Sequence, residues 1–293
     1  MEEVGINDPA VNKIFDELFS NSWQPELGRF RSPFVFRGLA DYNYPLTSSL
    51  IRVRGDYVGM EYHLLRNFRK YSAIDNKELG SSFWRLISIA QHHGLPTRLL
   101  DWTFSPFIAL HFATCNLDRY DRDGVVWCVD FKKAHQCLPR DLQDERERVG
   151  SGVFSTRMLD YRIIEKNERK IDSIKDAIEL FSKTLKEKNG GKDYVIFFEP
   201  PSIDDRIINQ YALFSYISDA TAHFDQWLSE QSNSQDCGEG ELLYKKVKIP
   251  KDLKWVIRNR LDQNNITERM LFPGLDGLTS WLTRHYGSSP SSG

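Results

Sequence analysis

The sequence predicts an α+β fold, a mixed sheet with helices around it. Apolar runs rich in β-branched and aromatic residues read as strands: "FVF" (34–36), "GVVWCVDF" (124–131), "DYVIFFE" (193–199) and "LLYKKVKI" (242–249). Amphipathic helical patterns separate them at irregular spacing, whereas a doubly wound parallel sheet would alternate strand and helix regularly. Neither G-x-G-x-x-G nor G-x-x-x-x-G-K-[ST] occurs in the chain, so neither nucleotide-binding loop built on those motifs is present.

Each element has its own signal. Val11, Ile14, Phe15, Leu18 and Phe19 recur at helical spacing behind an Asp-Pro start, so 1–33 forms an N-terminal helix and lead-in. Phe34–Phe36 is a short buried strand stopped by Gly38, which puts Arg37 at a strand end. Glu61–Tyr71 and Ser82–His92 are helical, the second with Phe83, Leu86, Ile87 and Ala90 on one face. Gly94 and Pro96 end that helix, and Thr97–Thr103 crosses toward another over Pro106–Leu117, with Ser105 as N-cap. From Asp141 to Lys192 charges dominate, and Ile171, Ile174, Ala177, Ile178 and Phe181 mark a long amphipathic helix ending at "NGG". That segment, 141–192, reads as a charged helical insertion. "DDRIINQYALFSYI" joins a polar turn or short helix to a strand, "QSNSQDCGEGE" is a polar loop, and "KDLKWVIRNRL" is a helix behind Pro250. A last helix leads into a Ser/Gly-rich tail, 286–293, that reads as flexible.

Composition narrows the function. A formal net charge of -2 gives no global positive field for unselective binding to nucleic acid or anionic membrane. The apolar runs stay well short of the roughly 20 residues of a spanning helix, and the first residues have neither a basic start nor an apolar signal core. A cytoplasmic protein without membrane partners is expected. Cys115, Cys128, Cys137 and Cys237 form no C-x-x-C pair, so zinc has no support and all four are expected to be reduced. Lys251, Lys254, Arg258 and Arg260 are basic, but the apolar residues among them read as the buried face of a solvated helix.

The polar chemistry concentrates in "AQHHGLPTRLLDWTFSPFIALHFATC", Ala90–Cys115. A helix start at Ser105 with Arg98 nearby is an anion cradle; an Arg98–Asp101 ion pair packed beside Trp102 accounts for the same residues. His92 and His93 point about 100° apart on a helix and are poorly placed to share a metal; catalysis or capping by one of them is the better reading. Arg37, beside a glycine that admits a ligand to the backbone, suits bidentate phosphate recognition, with a rim salt bridge as the plain alternative.

Four blocks resemble the FRG domain family, named for its Phe-Arg-Gly motif: "FVFRGLADYNYPLTSSLIR" (34–52), "QHHGLPTRLLDWTFSPFIALHFA" (91–113), "RIINQYALF" (206–214) and "LFPGLDGL" (271–278). The resemblance implies an FRG domain over 34–285. "FVFRG" and "WTFSPFIALHFA" are also similar to the arginine strand and the Ser-Thr-Ser strand with its following helix in arginine-type ADP-ribosyltransferases. This fainter resemblance implies a split mixed sheet and a short strand over Trp102–Phe104. It makes NAD the substrate, with Arg37 and Gly38 at its phosphates and Thr103 and Ser105 orienting Arg37 and the nicotinamide ribose. Arg98, Asp101, His92 and His93 are then supporting or acceptor-side candidates. The catalytic carboxylate departs from that pattern: Gln210 aligns with the first position of the Glu-x-Glu motif and Ala212 stands where the glutamate belongs, while a literal "EGE" ends at Glu241. Both Gln210 and Glu241 remain candidates. The function implied is an ADP-ribosyltransferase or NAD glycohydrolase acting on a macromolecular acceptor, protein or RNA, as toxins and defence effectors of that superfamily do. Such an enzyme would have an antitoxin or regulatory partner. The alternative is a non-catalytic nucleotide- or partner-binding FRG domain.

Overall fold

The computed structural model describes residues 8–53, 57–72, 82–162, 173–202, 205–233 and 242–287. Asp8 caps the first helix, α1 (Pro9–Phe19), by accepting the Ala10 amide at 2.7 Å, and Val11, Ile14 and Leu18 turn inward. A small hairpin of β1 (Trp23–Gln24) and β2 (Arg29–Phe30) precedes β3 (Phe34–Leu39). Helices α2 (Tyr57–Tyr71) and α3 (Phe83–His92) follow, and the Ser82 hydroxyl caps α3 by accepting from the Arg85 amide at 2.9 Å. Then come β4 (Leu99–Thr103), α4 (Pro106–Thr114), β5 (Gly124–Asp130), α5 (Arg140–Val149) and β6 (Phe154–Ser155). Helix α6 (Ile174–Glu179) runs through a π turn (Leu180–Thr184) into α7 (Leu185–Lys188). The C-terminal part holds β7 (Val195–Glu199), α8 (Asp205–Asn209), β8 (Ala212–Ile217), α9 (Phe224–Ser232), β9 (Tyr244–Ile249), α10 (Lys254–Gln263), α11 (Glu268–Leu271) and α12 (Leu275–His285).

The main sheet runs β6-β7-β8-β4-β3-β5-β9, antiparallel except for the parallel β6–β7 pair. The fold is thus α+β with a mixed sheet. Register assigns its faces. Phe36, Val126 and Val247 share one face with Leu99, Phe214 and Phe198. On that face α1, α4 and α10 cover the β3–β5–β9 side, and α3 with the α6–α7 segment covers the β7–β8 side. The opposite face, with Val35, Trp127, Trp102 and Leu213, packs under α9 through Phe224, Trp227 and Leu228. Burial of this kind stabilises each large apolar side chain by about 1.5–3 kcal/mol.

The structure departs from the sequence expectations in five respects. Thr97–Thr103, read from its residues as a crossing loop, contains β4, which pairs with β8 from Leu99↔Tyr216 to Thr103↔Ala212. Helices cover one face of this central strand and α9 the other, so Leu99, Leu100 and Trp102 are all buried and no alternation announces it. The strand also starts earlier than the Trp102–Phe104 stretch and stops at Thr103. The 141–192 segment supplies β6 at the sheet edge and Leu142, Phe154, Leu159, Leu180 and Phe181 to the core. The helix after Ser105 ends at Thr114, three residues short of Leu117. Cys137 is disulfide-bonded, against the expectation of four reduced thiols; sequence spacing carries no information about distance in space. No helix among the described residues is long and apolar enough to cross a membrane.

Candidate functional site

Strand β3 pairs with β5 along its whole length but meets β4 at one register position, Phe36 opposite Thr103. Beyond that point the two strands part. A cavity of about 230 Å³ opens at the gap, between the helices packed on either side of the sheet face. Arg37 and Gly38 of β3, Asp101 and Thr103 of β4, Gln91 and His92 at the end of α3, Arg206 in α8 and Gln210 just after it all border it.

Arg37 bridges the gap in place of strand pairing. Its Nη1 donates to the Asp101 carbonyl oxygen at 2.5 Å and lies 3.6 Å from the Asp101 carboxylate. Its Nε is buried without a partner, and the side chain is only 19% exposed. Burial pushes the guanidinium below its ordinary value, Asp101 opposes that, and Arg52 adds to it. A buried N–H with no acceptor costs about 1–3 kcal/mol, and an anionic ligand at the cavity would offset that cost.

Asp101 is held from a second side. Gln91 Nε2 donates to both of its carboxylate oxygens, at 3.1 and 3.0 Å, and Gln91 Oε1 accepts from the Thr97 hydroxyl at 2.6 Å. Gln210 Nε2 donates to the Leu271 carbonyl at 2.9 Å, and Asn209 does the same to Met270. The Arg206 guanidinium stacks 4.9 Å from the Phe272 ring. The "LFPG" turn between α11 and α12 is therefore the buttress of the α8 wall. An ion-pair network fixes it in turn: Arg284 donates to Glu268 and Asp262 at 2.6–2.8 Å.

The other sequence candidates fall elsewhere. Arg98 does not line the cavity. It is buried, with Nε donating to Glu61 at 2.7 Å, Nη1 to Ser182 and the Ser218 carbonyl at 2.7 and 2.9 Å, and Tyr216 under its guanidinium. Its ion-pair partner is Glu61, and Asp101 pairs with Arg37 instead. Ser105 caps α4 by accepting from the Ile108 amide at 3.4 Å, and its own amide donates to Thr103 Oγ1 at 3.1 Å. His93 is the exposed C-cap of α3, its ring edge-on to His92 at 5.2 Å. Glu241 lies outside the described residues. Gly38 has a structural reason for lacking a side chain: a Cβ there would sit 1.8 Å from the Ala109 carbonyl oxygen, so it is α4, more than a ligand, that needs the bare backbone.

Two polar residues on the border were not among the sequence candidates. Gln91 and Arg206 head the second and third blocks, "QHHGL" and "RIINQ", and only the tertiary fold distinguishes them from ordinary surface polar residues. The basic helix near the C-terminus is also clarified. Lys254 is buried and donates to the carbonyls of Ala40 and Arg119 at 2.7 Å, and Arg258 is buried against His111. Arg260 donates to Asn12 at 2.8 Å, so among the described residues α10 presents no continuous basic stripe.

A family model, that of the FRG domain, matches residues 32–122. That segment is similar to FRG domains. No curated protein and no solved structure matches the chain. The matched segment contributes Arg37, Gly38, Gln91, His92, Asp101 and Thr103 to the cavity, while Arg206 and Gln210 come from the chain beyond it. The match ends at residue 122, just before β5.

Proposed function

We propose that the cavity binds the nicotinamide half of NAD and that the protein is an ADP-ribosyltransferase-like enzyme transferring ADP-ribose to a macromolecule. The observation that carries this reading is Arg37: a mostly buried cation with an unpartnered Nε at a cavity bordered by Thr103 and Gln210, the very residues that the transferase resemblance puts beside it. Arg206 adds a second cation on the facing wall. The size fits part of a dinucleotide only. About 230 Å³ is below the ~300–1,000 Å³ of sites that enclose a whole drug-sized ligand. The adenosine end would lie outside.

A second reading has its own observation. Ala212 occupies the position where the resemblance requires a carboxylate, and it borders the cavity. Cleavage of the nicotinamide–ribose bond develops positive charge on the sugar, as in glycoside hydrolysis, and a carboxylate stabilises that charge in the transition state. A domain that binds the nucleotide without cleaving it is the alternative.

One experiment separates the two: nicotinamide release from NAD, with cell lysate as a source of acceptors, beside the thermal shift that NAD induces. The transferase reading expects release by the wild type and loss of both release and shift in Arg37→Ala. A shift without release supports the binding domain. An Arg37→Ala protein with unchanged release would refute the assignment of Arg37.

A further inference from the structure

We infer that Asp101 supplies the carboxylate that β8 lacks at Ala212, taking the proton from the attacking acceptor as ADP-ribose is transferred. This rests on the transferase reading above. Three observations support it.

Register comes first. Asp101 lies opposite Phe214 and Thr103 opposite Ala212, so Asp101 and Ala212 project from the same face of adjacent strands into the same cavity. Asp101 is the one acid among the described residues that border it.

Orientation comes second. Thr97 Oγ1 accepts from the Leu99 amide at 3.1 Å and gives its own proton to Gln91 Oε1 at 2.6 Å. An ionised carboxylate can only accept, so Asp101 takes the Nε2 end of the Gln91 amide, and Oε1 is left to accept from the Thr97 hydroxyl. The carboxylate is thereby locked by an amide whose own orientation is locked.

Exposure comes third. The Asp101 side chain remains 56% exposed. Surface pairs of this kind contribute about 0–1 kcal/mol to stability, which does not account for holding one solvent-facing carboxylate from two sides. A carboxylate offers roughly four lone-pair sites. Gln91 takes two, so acceptor capacity remains toward the cavity.

The step balances without a further reactant. The bond between ribose C1′ and the nicotinamide nitrogen breaks, and its electron pair leaves with the ring as neutral nicotinamide. A lone pair of the acceptor, a hydroxyl, an amine or water, forms the new bond to C1′. The acceptor's proton passes to Asp101 and then to solvent. Before that transfer the negative charge of Asp101 opposes the positive charge building on the sugar. Arg37 and Arg206 stay with the phosphates.

The test measures nicotinamide release and the NAD-induced thermal shift for wild type, Asp101→Asn and Asp101→Asn/Ala212→Glu. Asp101→Asn keeps an acceptor for Gln91, so the fold and the shift should persist while release falls about 10²–10⁴-fold, the usual contribution of a general base. Ala212→Glu should restore at least about tenfold of that loss by offering a carboxylate from the neighbouring strand. Release by Asp101→Asn within about threefold of wild type overturns the role of Asp101 and leaves the transferase reading standing. No release from wild type overturns both.

Discussion

At the scale of single residues, two arginines of equal promise in the sequence have opposite fates. Arg98 is saturated: Glu61, Ser182 and a backbone carbonyl occupy its donors, and Tyr216 lies under its plane. Arg37 retains an unpartnered Nε beside a cavity. Nothing local in the sequence separates them, because the partner that saturates Arg98 lies 37 residues away. An Arg98–Asp101 pair is natural to expect by proximity, but an extended chain sends residues three apart to opposite faces, and Asp101 is within β4. Removing one member of a buried ion pair leaves an uncompensated charge and costs about 3–5 kcal/mol. Glu61→Gln should therefore lower stability by about that amount in urea unfolding. If the cavity binds NAD as proposed, the same variant should still show the thermal shift that NAD induces, since Glu61 does not border the cavity. Loss of the shift in a folded Glu61→Gln protein would mean that Arg98 contributes to binding after all.

At the scale of elements, the contact between β3 and α4 decides where the cavity can be. Gly38 lets the helix backbone approach the strand, and Ala109 and Ala113 present small side chains toward it. A Cβ at Gly38 would meet the Ala109 carbonyl oxygen at 1.8 Å and the Ala113 amide nitrogen at 2.8 Å, both backbone atoms that move only with the whole helix. Gly38→Ala should cost at least the ~1–3 kcal/mol typical of overpacking, seen as a lowered urea midpoint. If it binds NAD at all, it should do so more weakly, because α4 carries Phe112 on the cavity border. A Gly38→Ala protein as stable as wild type would show that strand and helix do not meet this closely. The sequence made most elements legible through periodicity: α1, α3, β5, β7 and the strand of "ALFSYI" all lie where apolar spacing puts them. It hid β4 because burial on both faces erases alternation. It also obscured β6, whose two residues are too short to show a period.

At the scale of the molecule, the cavity draws its walls from residues 36–38, 91–103, 112 and 206–214, and its buttress from 268–284. Motif blocks named several of these residues, but only the sheet order, with β4 between β3 and β8, shows why they converge. Whole-molecule stability rests in part on two histidines that the fold keeps neutral. His135 is fully buried; its Nδ1 faces the Gly152 carbonyl at 3.1 Å and its Nε2 accepts from the Phe197 amide at 2.9 Å, which ties the turn after β5 to β7. Burial, helped by Arg146, pushes it down to about 3. His111 is pushed to about 3 by burial and Arg258, with Glu268 opposing and Arg284 reinforcing. A histidine depressed in the folded state stays unprotonated there while the unfolded chain takes up its proton below pH ~6.5. Its stabilisation is complete above that pH and declines as pH falls toward the folded value, by about 1.4 kcal/mol per pH unit for each histidine. Asp160, raised to about 6 mainly by burial, works in the opposite direction below pH 6, so the total profile is a mixture. The difference between wild type and His135→Asn isolates one group. Replacing His135 should destabilise the protein most at pH 7.5, and the gap between variant and wild type should narrow steadily from pH 6.5 to pH 5. A gap that stays constant over that range in urea unfolding would mean that His135 titrates alike in the folded and unfolded states, and that its ring does not hold the Phe197 amide.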